Sequence, residues 1–250
     1  MKLLFDIGNT SINWAVEENN GFIKTGSFNH YDCETSDQLK NIITPEITSK
    51  PDAVLVSNVA GMDLIKLVQD WADKLWQLEP WQARVSHEFG DLKNSYKDVS
   101  QMGVDRWLAM VAVRNKYKAN ICLVDCGTAL TIDFINHSGT HLGGYIVPGY
   151  KLMQKSLIEN TTGINVNVEN NISIKQADNT QAAINNGACL VLVAVINQAI
   201  KMYSDQLDCE PKCIITGGMA ELIHPLTEFT FIYEPLLVLN GLSIAHRAYK

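Results

Sequence analysis

The sequence predicts an α/β fold made of two related halves, and three observations carry that reading. Apolar strand-like runs alternate with helix-like segments along the 250 residues. One strand–turn–strand pattern occurs twice: Leu4-Phe5-Asp6-Ile7-Gly8-Asn9-Thr10 is echoed by Leu123-Val124-Asp125-Cys126-Gly127-Thr128-Ala129, about half a chain later. A further glycine turn, Thr216-Gly217-Gly218, follows another strand-like run. A strand ending in an Asp/Gly turn is common when it stands alone. Two copies in matching contexts argue for a repeat. The halves are expected to span 1–117 and 118–250.

The elements follow in order. "KLLFD" and "TSINWAVEE" read as two strands across a tight turn, and "FIKTGSF" as a third. "DAVLVSNVA" at 52–60 reads as a buried strand. "MDLIKLVQDWADKLW" places Leu64, Leu67, Val68, Trp71 and Leu75 on one helical face. "GVDRWLAMVAVRNKY" does the same with Val104, Trp107, Leu108, Val111 and Ala112, which puts Asp105 and Arg106 off that face in the first turn. "NICLVDCGTALTIDFI" repeats the opening theme, and "HLGGYIVPG" adds a strand and a Pro-Gly turn. "VENNISIKQADNTQ" at 168–181 reads as a polar surface loop. The next helix, "TQAAINNGACLVLVAVINQAIKMY", is apolar almost all round, the mark of burial between layers or at an interface. "KCIITGG" is a strand into a glycine turn, and "GLSIAHRAY" a closing helix.

Composition narrows the function. With 46% hydrophobic and 19% charged residues, the chain is an ordinary globular one, long enough to bury a sizeable core. A net charge of −7 with no basic run gives no footprint for nucleic acid. Asp6 interrupts the first apolar run too early for a signal peptide. The longest apolar stretch, Ala188 to Ile196, is nine residues, short of a bilayer span. A cytoplasmic protein with no membrane partner is expected. The six cysteines (Cys33, Cys122, Cys126, Cys189, Cys209 and Cys213) lack the dense spacing of a disulfide scaffold. "CEPKC" at 209–213 has no second pair for zinc, so its two thiols are expected on the solvent side. His137 and His141 flank a Ser-Gly loop rather than a helical metal pair.

The turns point to phosphate chemistry. Gly8 and Gly127 let the backbone approach a ligand closely. Successive N–H groups in such turns form anion nests, and Asn9, Thr10 and Thr128 add side-chain donors. Asp6 and Asp125 would repel a phosphate directly, but can hold a cation that neutralises it or receive a proton. A nucleotide gripped by two such turns suits phosphoryl transfer. Rival devices are missing: there is no Gly-Lys dipeptide and no G-x-G-x-x-G run.

Taken together in this order, "DIGNT", "NSY…MGVDR", "DCGTALTID", "GGYIVPG", "NTQAAINNG" and "TGG" resemble the type III pantothenate kinases over nearly the whole chain. These belong to the actin/hexokinase/Hsp70-like ATPase superfamily. The resemblance implies two ribonuclease-H-like domains with the active site in the cleft between them. It implies that Asp6, Ile7, Gly8, Asn9, Thr10, Ser11, Ile12 and Asn13 form the first phosphate turn. Thr128 would contact ATP, and Gly217 and Gly218 would form the adenosine-side turn. Asp125 matches the ligand of a monovalent cation, K⁺ or NH₄⁺, with Asp6 a second candidate ligand. Tyr96, Gly103, Val104, Asp105, Arg106 and Thr180 match the pantothenate site, with Asp105 as the catalytic base. Mg²⁺ would bridge the phosphates, and the protein would be a homodimer. One position departs from the pattern: Val99 stands where the family usually has a proline, which predicts a less rigid loop.

The implied activity is ATP-dependent phosphorylation of pantothenate, the first step towards coenzyme A. Simpler readings stand beside it. Asp105 could complement a helix dipole, Arg106 could be a surface charge, Tyr96 could be a packing residue, and Thr180 could cap the helix that follows. Asp133 could form a structural pair. A non-catalytic regulator on the same fold, or a kinase of another small hydroxy compound, are the alternatives. A regulator could lose Asp6, Asp105 and Asp125, and this chain keeps all three.

Overall fold

The run after Met1 forms β1 (Lys2–Ile7), which turns back into β2 (Ser11–Glu18) and then β3 (Gly21–Asn29). Asn19 and Asn20 connect the last two with φ of 50° and 64°, the paired left-handed conformation of a tight hairpin turn. The computed structural model describes residues 1–29, 36–47, 49–162, 167, 172–207 and 209–249. Cys33 and part of the 168–181 segment expected as a loop lie outside the described residues. Next come α1 (Ser36–Ile43), β4 (Ala53–Asn58), α2 (Met62–Trp76) and β5 (Trp81–Gln82). The sheet order is β3-β2-β1-β4-β5, with β1 antiparallel to β2 and parallel to β4. Central strands buried on both faces need unbroken apolar runs, and β1 and β4 have them. Edge strand β3 alternates exposed and half-buried residues instead. Phe5 meets Trp71 of α2 edge-on at 5.9 Å, in a core with Ile7, Ile12, Val56 and Val68.

Two short strands, β6 (Glu88–Phe89) and β7 (Leu92–Lys93), precede α3 (Val104–Lys116). The second sheet is then built from β8 (Ile121–Cys126), β9 (Ala129–Ile135), β10 (His141–Pro148), β11 (Lys212–Thr216) and β12 (Phe231–Tyr233). Its order, β10-β9-β8-β11-β12, repeats that of the first sheet strand for strand, with β8 antiparallel to β9 and parallel to β11. The repeat read from Asp6 and Asp125 is therefore a repeat of topology: both aspartates lie near the end of the central strand. Helices α4 (Tyr150–Asn160), α5 (Thr180–Leu207) and α6 (Ala220–Ile223) complete this part. Leu192, Ile196 and Ile200 of α5 pack with Val124, Ile132 and Ile215 in its core. By length and composition α5 could cross a membrane, but half of its most apolar window is buried inside the protein. The rest leaves Leu190, Val191 and Met202 exposed.

The chain divides into two compact units, 1–89 with 96–116 and 236–250, and 90–95 with 117–235. The closing helix α7 (Leu237–Tyr249) thus packs in the first unit, whereas the sequence boundary at 117 put it with the second half. The reason is local. Gly241 lies so close to α3 that a Cβ there would stand 2.0 Å from the Leu108 carbonyl oxygen. Ser243 donates to Glu17 of β2, which also pairs with Lys2 at 2.9 Å and Arg247 at 3.6 Å. Burial opposes the charge on Glu17, but these donors and cations hold its carboxyl below the usual range.

Candidate functional site

In the first unit the turn after β1 is closed by the Gly8 amide, which donates to the Ser11 carbonyl at 3.0 Å. Asn9 and Thr10 are exposed on it, while Ile7 and Ile12 are wholly buried. Of the expected first-turn residues, these two isoleucines anchor the turn in the core, so only their backbone can meet a ligand. Asp6 lies in register with Asn13 on one neighbouring strand and Ser57 on the other. The Asn13 amide donates to Asp6 Oδ2 at 3.5 Å, while Asp6 Oδ1 is buried with no hydrogen-bond partner among the described residues. Burial first, and the charge of Asp105 second, push the Asp6 carboxyl up to about 6, against Ser57 and Asn13. A buried carboxylate with a bare oxygen and a second carboxylate nearby is relieved by a cation. No group of three or more His, Cys, Asp or Glu among the described residues could hold a metal alone. A cation here would need oxygens from elsewhere. That suits Mg²⁺, which typically takes one or two carboxylates and completes its shell with phosphates and water.

Asp105 sits in the first turn of α3, half-buried, and its Oδ1 accepts from the Arg106 amide at 2.8 Å. Gly103 makes room for that carboxylate: a Cβ at 103 would stand 2.4 Å from Asp105 Oδ1. Arg106, expected off the apolar face, is instead 6% exposed. The correction has a physical cause: α3 is covered nearly all round, from Val104 to Arg114, because α7 packs on it. Arg106 Nη1 donates to the Tyr96 hydroxyl at 3.1 Å, and its guanidinium lies over the Tyr96 ring at 5.8 Å. Tyr96, Gly103, Val104, Asp105 and Arg106 are therefore brought together in the first unit. The loop between them has its own brace. Asp98 caps a short 3₁₀ turn at Val99–Gln101, accepting from the Ser100 amide at 3.0 Å and the Ser100 hydroxyl at 2.6 Å.

In the second unit, the Gly127 amide donates to the Ala129 carbonyl at 3.1 Å, and the Gly149 amide to the Thr128 carbonyl at 2.9 Å. Gly127 and Thr128 are exposed, and Asp125 is half-buried in register with Thr131 and Thr216. Gly217, with φ of 93°, presses on it: a Cβ there would be 2.4 Å from Asp125 Oδ1. The Met219 amide donates to the Cys126 carbonyl at 3.1 Å, tying the 217–218 turn to the 125–128 turn. Asp125, Thr128, Gly217 and Gly218 thus form one cluster. Gly149 belongs to it although the sequence reading passed it over; a Cβ there would meet the Gly127 and Thr128 carbonyls at 2.4 and 2.5 Å. The signal was the Pro-Gly turn.

Thr180 is the first residue of α5 and exposed, but it is not the cap. The cap is Asn179, whose Oδ1 accepts from the Ala182 amide at 2.9 Å. Thr180 lies on the rim of an apolar groove of about 1100 Å³ between α4 and α5, with Leu152, Leu157 and Val191. The other expectations divide. Asp133 does form a structural pair, with His141 at 3.0 Å. Cys209 is exposed as expected, but Cys213 is buried on β11, an inner strand between β8 and β12.

Comparison with known proteins completes the picture. The profile of type III pantothenate kinase matches residues 2–202. A type III pantothenate kinase of Nitrosococcus oceani is 36% identical over 97% of this chain and 92% of its own. Among solved structures, one from Campylobacter jejuni, described as a candidate Baf family transcriptional activator, superposes with TM-score 0.61 at 21% identity, covering 99% of this chain and 98% of its own. The ethanolamine utilization protein EutJ from Carboxydothermus hydrogenoformans does so with TM-score 0.53 at 12% identity, covering 97% and 89%. At these identities the two structures speak for the fold alone.

Proposed function

The chain belongs to the type III pantothenate kinase family, and we propose that it moves the γ-phosphoryl group of ATP to the primary hydroxyl of pantothenate. The observation that carries this reading is Asp105, held by the Arg106 amide, beside the buried and cation-seeking Asp6. Asp105 accepts the substrate hydroxyl proton as the phosphoryl group arrives. Phosphoryl transfer rests on positioning more than on early deprotonation, so a carboxylate of modest basicity suffices. Arg106, already oriented by Tyr96, takes the pantothenate carboxylate. Its burial strengthens that contact, since little water competes there.

The Gly8 and Gly127 turns offer amides and hydroxyls to phosphate oxygens, with the 217–218 turn on the adenosine side. Asp6 would hold Mg²⁺ together with those oxygens, and Asp125 a monovalent cation, K⁺ or NH₄⁺; such ions neutralise the charge that develops on the phosphates. The exposed apolar residues Leu152, Leu157, Leu190 and Val191 of α4 and α5 favour a homodimer that covers them. The chemistry is that of a cytoplasmic metabolic enzyme.

Incubation of the protein with ATP and pantothenate, with and without K⁺, tests the reading. Pantothenate-dependent ADP release that rises with K⁺ is expected. Asp105→Asn should fold normally and lose about 10²–10⁴-fold in kcat. Near-full turnover by that variant would remove Asp105 from the base role.

A further inference from the structure

Residues 90–95 lie in sequence between two segments of the first unit, yet they belong to the second. Within the second unit these interactions are among those that hold them. Asp91 pairs with Lys118 at 2.9 Å. The Lys93 amide donates to the Gly139 carbonyl at 2.9 Å. The Ser95 hydroxyl meets His141 Nδ1 at 3.0 Å. The third contact is unlike the other two, because a built and buried pair stands behind it. His141 is 0% exposed and Asp133 1%, with His141 Nε2 3.0 Å from Asp133 Oδ1.

Asp133 Oδ1 and the hydroxyl of the exposed Ser95 stand one at each ring nitrogen of His141, both at 3.0 Å, and hold the imidazole from two sides. The backbone is shaped for this. A bulge between His141 and Gly143, with Gly143 at φ of 103°, turns Leu142 out to solvent while His141 stays buried. Gly144 clears the space, since a Cβ there would stand 2.8 Å from Asp133 Oδ1.

The next residue in the chain is Tyr96, whose hydroxyl accepts from Arg106. We infer that Ser95, His141 and Asp133 are positioning residues for Tyr96. They fix the peptide before it, and through it the phenol that orients Arg106 towards the substrate carboxylate. The effect falls on pantothenate binding and not on the chemical step, because Asp105 is oriented by its own helix turn. This rests on the proposed pantothenate reading, and the test separates the two.

Ser95→Ala removes the hydroxyl at an exposed position, so folding is safe. It should raise the KM for pantothenate about 3–10-fold, the worth of one neutral hydrogen bond, with kcat and the KM for ATP within about twofold. Ser95→Thr, which keeps the hydroxyl, should restore the wild-type KM. Hydrogen exchange supplies a readout independent of turnover: amides at 96–103 should exchange faster in Ser95→Ala than in wild type or Ser95→Thr. An unchanged KM with unchanged exchange overturns the inference, as does an equal fall in kcat or a Thr variant that behaves like Ala. If wild type turns over no pantothenate, the functional reading fails, and the exchange data alone decide whether Ser95 orders Tyr96.

Discussion

The Gly8 and Gly127 turns have the same topology and opposite environments. In both, an aspartate near the end of the central strand precedes a glycine whose amide closes the turn. Asp6 is buried, has an oxygen with no hydrogen-bond partner among the described residues, and feels a second carboxylate. Asp125 is half-exposed, flanked in register by two threonines, and crowded by a glycine from another turn. A duplicated scaffold therefore supplies two strand ends, and the residues packed around each decide what the aspartate there does. The first holds a buried carboxylate with a bare oxygen. The second is shaped so that two turns meet.

The contrast can be tested from its strongest consequence downwards. At the second turn, shape should dominate. Gly217→Ala adds a Cβ against Asp125 at a left-handed φ, so it should cost about 3–5 kcal/mol in thermal unfolding and weaken ATP at least about tenfold by titration calorimetry. At the first turn, charge should dominate. The Asp6 carboxyl titrates at about 6 in the folded protein, above its ordinary 3.8. Its stabilising contribution is thus complete below the ordinary value and lost as pH rises through the folded one. At pH above about 7 the buried charge burdens the fold, and Asp6→Asn should raise the stability of the ligand-free protein by about 2–3 kcal/mol while turnover falls. That gain should shrink between about pH 6 and 4, and a gain independent of pH would break the assignment. Gly8→Ala should matter least. Its Cβ would meet only the Ser11 carbonyl, at 3.2 Å, with no left-handed φ, so a stability loss under about 1 kcal/mol is expected. If Gly8→Ala proves as damaging as Gly217→Ala, the two turns are not the different devices described.

Much of this was legible in the sequence, and the remainder has physical reasons. Periodicity located α2 and α3, an apolar run with no polar face located α5, and the Asp-x-Gly echo predicted two related halves. Arg106 was misread because an amphipathic pattern reports one apolar face, and α7 covers the other side of α3 through a glycine contact that no local pattern announces. The simpler reading of Thr180, a helix cap, fails because the preceding Asn179 does the capping; asparagine is at least as good a cap as threonine. Asp133 was open to a structural pair, but its partner His141 and the link to Ser95 were out of reach, because they lie 8 and 46 residues away along the chain. Only folding makes neighbours of them.

The closing helix also has a bearing on how the protein is made. The first unit needs residues 236–250, which are synthesised after every residue of the second. On the ribosome, α3 therefore waits with its α7 face uncovered while the second unit has all of its own chain. Folding during synthesis should run against the order of the sequence here, the later unit completing before the earlier one. An arrest of translation just before α7 would leave a folded second unit joined to an open first one.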